Sequence, residues 1–408
     1  ENPPHAARKP FVGSHLRRRM QVAELPVAVI GRTADTFQPL AAWQAAETPL
    51  IDECDPRRSE QPQWGTLQFN FERSEVISFL VSNAVFWLNE YHIDGLRTDA
   101  VSCMLYLDFG KEGKQFLPNK FGGRENIAAI EFFKTLSTAV KRESPGALLI
   151  AEESTAFEGV TRDANKGGLG FDFKWNMGWM NDVLSYMKQD SVYRKYSHEK
   201  LTFPMMYAFS EHFILPLSHD EVVHLKNSLI GRMKGSYEEM FMQLRQLYML
   251  QYAMPGKKLL FMGGEFGQFA EWNFKTSIDW MLLDYEHHAA LREFVKALNM
   301  TYRANSPLFE IDDSWDGFEW RQADDAAHSI IAFSRMDAEG DELLCVFNFT
   351  PVDHGAYPIH MPCRCTLERV MSSIERDEPI IPAEDEGEGC VLLMELKGYE
   401  AAYYRVRR

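Results

Sequence analysis

Between Glu72 and Met262 the chain alternates stretches of helical and strand-like periodicity, and this alternation limits its fold more than any other feature. The first helical stretch, Ser74–Tyr91, carries Val76, Leu80, Val81, Ala84, Trp87 and Leu88 at spacings that place them on one face. A strand-like run follows at Ile93–Val101, a second helix at about Glu125–Lys141, and a second strand at Ala147–Ala151. Phe171–Lys174, Phe213–Leu217 and Lys258–Met262 continue the series as strands, each followed by a helical stretch such as Glu238–Ala253. Strands joined through helices pair in parallel, so the sequence predicts an α/β fold with five strand–helix units. After Ser306 the texture changes to short β-rich runs at Ser329–Ser334, Glu342–Phe349 and Gly398–Arg405, separated by Gly, Asp and Pro. These predict a separate all-β domain, in which Glu384–Gly389 reads as an acidic loop.

At 408 residues, with 45% hydrophobic and 13% aromatic content, the chain is long enough for two or three domains and an enzyme-sized core. A formal net charge of −16 argues against a phosphate-backbone partner, because nucleic-acid binding depends on clustered Lys and Arg. Residues 1–50 differ from the remainder, with six Lys and Arg against four Asp and Glu; the run Arg17–Arg19 reads as a solvated face. Six cysteines, at 54, 103, 345, 363, 365 and 390, are too few and too irregular for a disulfide scaffold, and Cys363-x-Cys365 lacks a second ligand pair. They read as reduced thiols of a cytosolic protein. No apolar run approaches bilayer length, and no secretory signal is expected.

Parallel β/α folds carry their chemistry at the C-terminal ends of strands. Three such places hold acidic or His residues. In DGLRTDAV (94–101), Arg97 and Asp99 lie two apart and share a strand face, where a cation keeps a neighbouring carboxylate ionised. In LLIAEEST (148–155), Glu152 and Glu153 face opposite ways. In LPLSHDEVVH (215–224), His219 and Asp220 end another strand. Converging carboxylates suit glycoside chemistry, but acidic residues at strand ends are usually solvated caps or loops. The residues alone reach an α/β enzyme, with carbohydrate chemistry as one candidate among others.

These three segments, with GGLGFDFKWNMGWMNDVLSYM (167–187) and GKKLLFMGGEFGQFAEWN (256–273), resemble the 1,4-α-glucan (glycogen) branching enzymes of the α-amylase superfamily, glycoside hydrolase family 13. The resemblance runs closely from about Thr48 to Thr350. It implies the C-terminal part of a (β/α)8 TIM barrel over residues 48–305, about the last five strand–helix units, followed by a β-sandwich over 306–408. Residue by residue, it places the catalytic nucleophile on Asp99, the acid/base on Glu152 and a third, transition-state-stabilising carboxylate on Asp220. Arg97 and His219 match substrate contacts. The implied reaction is retaining transglycosylation, in which an α-1,4-glucan is cleaved and the segment is rejoined through an α-1,6 bond in the cytoplasm. It implies no metal, cofactor, nucleic acid or membrane, and a monomer if the barrel is complete. Glu153, Glu265 and Asp279 are expected to be structural and His224 a supporting or core histidine. Trp175, Trp179 and Trp272 read either as packing or as sugar platforms.

The family's Asp and His loop, in a pattern like DWVPxHF, has no counterpart here: the ungapped positions hold Val29 and Ala34, and residues 1–47 show no family resemblance. Two smaller departures are Leu225, where Gly commonly follows VVH, and Phe274, where His commonly follows EWN. Five strands alone would leave two open barrel edges, so the chain by itself is expected to have little or no branching activity. An inactive or incomplete fragment of such an enzyme is one competing reading, and an α-glucan hydrolase is another.

Overall fold

In a computed structural model, residues 22–25, 30–31, 55–111, 116–375, 384–386 and 389–408 are described. The positions Val29 and Ala34, the run Arg17–Arg19, Cys54 and most of the atypical segment 1–47 lie outside them. The chain divides into two compact units, Glu1–Phe173 and Lys174–Arg408.

In the first unit, β1 (Val22–Leu25) lies parallel to β2 (Gly95–Thr98), with Val22 opposite Gly95. β2 in turn pairs in parallel with β3 (Leu148–Ala151), with Gly95 opposite Leu148. Two helices pack on β2 and β3, α1 (Ser74–Tyr91) and α2 (Ile127–Glu143). Both form where the periodicity predicts. α1 buries Val76, Leu80, Ala84 and Leu88 at four-residue spacing, and α2 opens on Asn126, whose side chain accepts from Ala129 N–H. Their buried faces meet Leu96, Leu149 and Ala151 in one core with Phe71, Phe132 and Phe133. Gly95 is required by the close strand approach, since a Cβ there would lie 2.6 Å from the Leu148 carbonyl oxygen. The strand at Val22–Leu25 is not signalled by the sequence: four residues, VAEL, with no turn signal or alternation, carry too little pattern.

In the second unit, β4 (Phe173–Trp175), β5 (Phe213–Leu217) and β6 (Lys257–Leu260) pair in parallel through Lys174 with Phe213 and Ile214 with Lys257. β5 is buried along its whole length, as a parallel strand covered on both faces must be. The helices α3 (Met177–Met187), α4 (Tyr237–Ala253) and α5 (Glu286–Ala304) alternate with these strands. α4 starts with a capping box, Ser236 with Glu239, so its first turn has its amides satisfied.

The β-rich C-terminal region forms two antiparallel sheets. The larger orders β7 (Phe318–Asp325), β8 (Ile330–Met336), β9 (Glu342–Asn348), β14 (Ala401–Arg407) and β11 (Thr366–Ser372); the smaller orders β10 (His354–Met361), β13 (Gly389–Leu396) and β12 (Glu384–Glu386). Glu384–Gly389 therefore contains a strand where the composition predicts a loop; pairing of Glu384–Glu386 with Gly389–Val391 overrides local acidic composition. The central strands of the larger sheet, β8, β9 and the first half of β14, are buried on both faces in alternation. Ile331, Phe333, Leu343, Cys345, Phe347 and Tyr403 join the core built on α4, whereas Ile330, Ala332, Leu344, Val346 and Tyr404 face the smaller sheet. Polar contacts tie α4 to the same sheet: Gln246 Nε2 donates to the Asn348 carbonyl at 2.7 Å, and Tyr403 Oη to that of Met249. This shared core is why the sandwich and the later β/α helices form one compact unit.

Candidate active site

In the first unit, Asp99 stands directly after β2. Arg97, two residues earlier and 4% exposed, donates from Nη2 to Asp99 Oδ1 at 2.8 Å. One carboxylate oxygen is thus held by a charge-assisted bond while the side chain stays 52% exposed. The chain then turns abruptly. Ala100 takes a left-handed conformation, φ 51°, ahead of a short helix, Val101–Leu105. That backbone is unfavourable for a residue with a Cβ. It aims the Ala100 N–H at Glu152 Oε2, 2.7 Å away. Glu152 N–H donates to the Thr98 carbonyl and Val101 N–H to the Glu152 carbonyl, each at 2.9 Å, so the ends of β2 and β3 are locked together. Arg97, Asp99 and Glu152 thereby share one hydrogen-bonded corner. Burial, and then the charges of Glu152 and Asp99, push the Cys103 thiol beneath them up to about 12.

Glu153 turns the other way and is fully buried. Its Oε1 accepts from Ser102 Oγ at 2.7 Å, Thr155 N–H at 2.8 Å and Thr155 Oγ1 at 2.5 Å. It fastens the segment that carries Glu152 to the helix that follows Asp99. Glu153→Ala is expected to cost about 2–3 kcal/mol in urea unfolding by stranding those donors; a cost below ~0.5 kcal/mol would show that the network is incidental.

In the second unit, β5 ends at Leu217 and the chain closes a tight turn over His219–Val222. Ser218 and Glu221 set this turn. Ser218 Oγ accepts from Asp220 N–H at 3.2 Å and donates to Glu221 Oε2 at 2.6 Å, while Ser218 N–H donates to the same oxygen at 2.6 Å. The Ser-x-x-Glu spacing that builds this box is legible in the sequence. His219 and Asp220 project from it, with Nε2 to Oδ1 at 3.4 Å and side-chain exposures of 26% and 41%. The His219 ring rests against Phe261 at 5.8 Å and Trp272 at 5.9 Å between centroids. Trp272 is half-buried against His219, whereas Trp175 and Trp179 are buried packing residues. Glu265 lies in the turn Gly264–Phe266, and Asp279 N–H donates to Gln268 Oε1 at 2.9 Å.

His224 departs from expectation in part. It is exposed, with φ 55°, which removes the core alternative and leaves the supporting one. It opens a left-handed stretch in which Leu225 has φ 64° and Asn227 φ 70°. Glu271 holds this loop by accepting from Leu225 N–H at 3.0 Å and Asn227 N–H at 2.6 Å, a partnership across the chain with no local sequence signal. Leu225 is 97% exposed, so its side chain gains nothing from burial to offset the strained backbone. Leu225→Gly is expected to raise stability by about 1 kcal/mol in thermal unfolding; a lowered midpoint would contradict the strain.

Parallel β/α units bearing carboxylates at their strand ends, followed by an antiparallel sandwich, are the architecture of the α-amylase fold. The family described as "Alpha amylase, C-terminal all-beta domain" matches residues 320–407. The structure is similar to the α-amylase of H. orenii, with a TM-score of 0.55 and 14% identity over 84% of this chain and 67% of that one. It is equally similar in fold to an α-amylase of Geobacillus thermoleovorans, with a TM-score of 0.55 and 13% identity over 85% of this chain and 67% of that one. In sequence it is 54% identical to the 1,4-alpha-glucan branching enzyme GlgB of Halothermothrix orenii over 316 residues, 77% of this chain and 50% of that protein. It is 49% identical to GlgB of Nitratidesulfovibrio vulgaris over 327 residues, 79% of this chain and 51% of that protein. The chain is thus a relative of the 1,4-α-glucan branching enzymes, and it spans about half the length of the curated relatives it matches.

Proposed function

We propose that this chain supplies the catalytic carboxylates of a retaining glucan-branching reaction, with residues 48–305 as the later part of the barrel and 306–408 as its sandwich. Asp99 attacks the anomeric carbon of an α-1,4-glucan while Glu152 gives a proton to the departing glycosidic oxygen, leaving a glycosyl ester on Asp99. Glu152 then takes the proton of an acceptor 6-hydroxyl as that oxygen displaces Asp99, and an α-1,6 bond forms. His219 and Asp220 hold ring hydroxyls of the distorted sugar, and Arg97 holds Asp99 in place. The protein acts on glycogen-like glucan in the cytoplasm, as a monomer once its barrel is complete, with no nucleic-acid partner. None of the described helices is long and apolar enough to cross a membrane.

The 54% identity to a branching enzyme carries this reading, supported by the Arg97, Asp99 and Glu152 corner. The experiment supplies amylose to the chain joined to the upstream half of such a relative and follows products by proton NMR. Branching predicts new α-1,6 anomeric signals without a matching rise in reducing ends. Reducing ends appearing without α-1,6 signals would overturn it in favour of hydrolysis.

A further inference from the structure

Cys363-x-Cys365 plays no part in this chemistry, yet the fold gives it a third sulfur. Met361 ends β10 in the smaller sheet, and residues 362–365 cross to β11 in the larger one. Cys365, 3% exposed, sits at the end of that crossing, and Cys390, 1% exposed, stands on β13 opposite Met361. Their sulfurs are 3.9 Å apart in the core between the two sheets. Cys390 Sγ also donates to the Cys363 carbonyl at 3.1 Å, and the half-buried Cys363 Sγ accepts from Arg408 Nε at 3.0 Å. Among the described residues no group of three or more His, Cys, Asp or Glu is placed to hold a metal ion, so the cluster is one of thiols.

We propose that Cys365 and Cys390 are a disulfide-forming pair that cross-links the two sheets of the sandwich when the chain meets a low-molecular-weight disulfide. A disulfide needs sulfurs about 2 Å apart, so forming the bond requires the two side chains to move together by about 2 Å. The exchange balances without another reactant. One cysteine sulfur, having lost its proton, attacks the small disulfide and releases one small thiolate; the second attacks that mixed disulfide and releases the other. The two protons lost by the protein pass to the released thiolates, so the protein is oxidised by two electrons and the reagent is reduced to two thiols. Burial, and then Cys390, push the Cys365 thiol up to about 12, so the exchange at neutral pH is slow. The bond joins positions 25 residues apart, which removes freedom from the unfolded chain.

The test incubates the folded 408-residue protein with oxidised glutathione, alkylates the remaining thiols in denaturant and maps the peptides. The expected result is an intact mass lower by two hydrogens, a peptide pair linked through Cys365 and Cys390, and a midpoint of thermal unfolding higher by about 5 °C. Cys365→Ser should remove both the linked pair and the rise in midpoint, whereas Cys345→Ser should retain both. The mapping uses the unaltered chain, so it stands even if a variant folds poorly. A linkage through Cys363, a glutathione adduct alone, or free Cys365 and Cys390 after prolonged oxidation would each overturn the proposal.

Discussion

Asp99→Asn, in the chain joined to an upstream barrel half, is expected to lower the branching rate by a factor on the order of 10⁴ or more. The substitution keeps the shape of the side chain and an oxygen that accepts from Arg97 Nη2, which now lies 2.8 Å from Asp99 Oδ1. It removes the anion that, in the reaction proposed, forms the glycosyl ester. Because the Asp99 side chain is half exposed, circular dichroism and the unfolding midpoint should stay within experimental error of the parent. Steady-state kinetics on amylose check the prediction. A variant retaining a tenth of the parent rate would exclude Asp99 as the nucleophile, whatever the role of Glu152.

The second large effect is on stability. Arg335 has no exposed side-chain surface, and its guanidinium donates to the carbonyls of Gly317 at 2.9 Å, Ala253 at 2.6 Å and Ile311 at 3.0 Å, and to Asp312 Oδ1 at 2.8 Å. One side chain thus fastens β8 to the end of α4 and to the connection that precedes β7. Arg335→Met fills similar space but strands three carbonyls and leaves Asp312 with the lysines alone. The expected loss is about 3–5 kcal/mol, a large share of the ~5–15 kcal/mol that holds an ordinary domain folded.

The loss should depend on pH. Burial pushes the Asp312 carboxyl up, but Arg335, then Lys258 and Lys257, outweigh it and hold it below its ordinary value of 3.8. A carboxyl depressed in the folded state contributes stability that is present above its unfolded pKa and lost as pH falls through the folded one. Without Arg335 the folded carboxyl rises, and protonation relieves the unpaired charge at a higher pH than in the parent. Urea midpoints of parent and variant should therefore converge as pH is lowered from 7 toward 4. A gap independent of pH would assign the loss to the carbonyls rather than to Asp312.

The β/α part of the fold was legible because its signals are local. α1 matches its predicted span at both ends, since apolar spacing and the Asp and Gly after Ile93 mark them. The parallel strands were found because burial on both faces demands short, continuous apolar runs such as Phe213–Leu217. β1 and β12 were missed because their partners, rather than their own residues, make them strands. The acidic and His positions at strand ends were visible as candidates, and resemblance alone gave them roles. What fixes them was less visible. Ser218 and Glu221 follow a readable box, but the left-handed Ala100 that turns its amide onto Glu152 looks like any alanine. Glu271 anchors a loop more than forty residues before it in the chain, by contacts that exist only after folding.

Iodine staining of amylose tests the central claim most directly, using the 408-residue chain, the same chain joined to the upstream half of a branching-enzyme relative, and the joined chain with Asp99→Asn. The account predicts that staining falls only with the joined parent, because a closed barrel and the Asp99 carboxylate are both required. Loss of staining with the Asp99→Asn protein, or an unchanged stain with the joined parent, would contradict it.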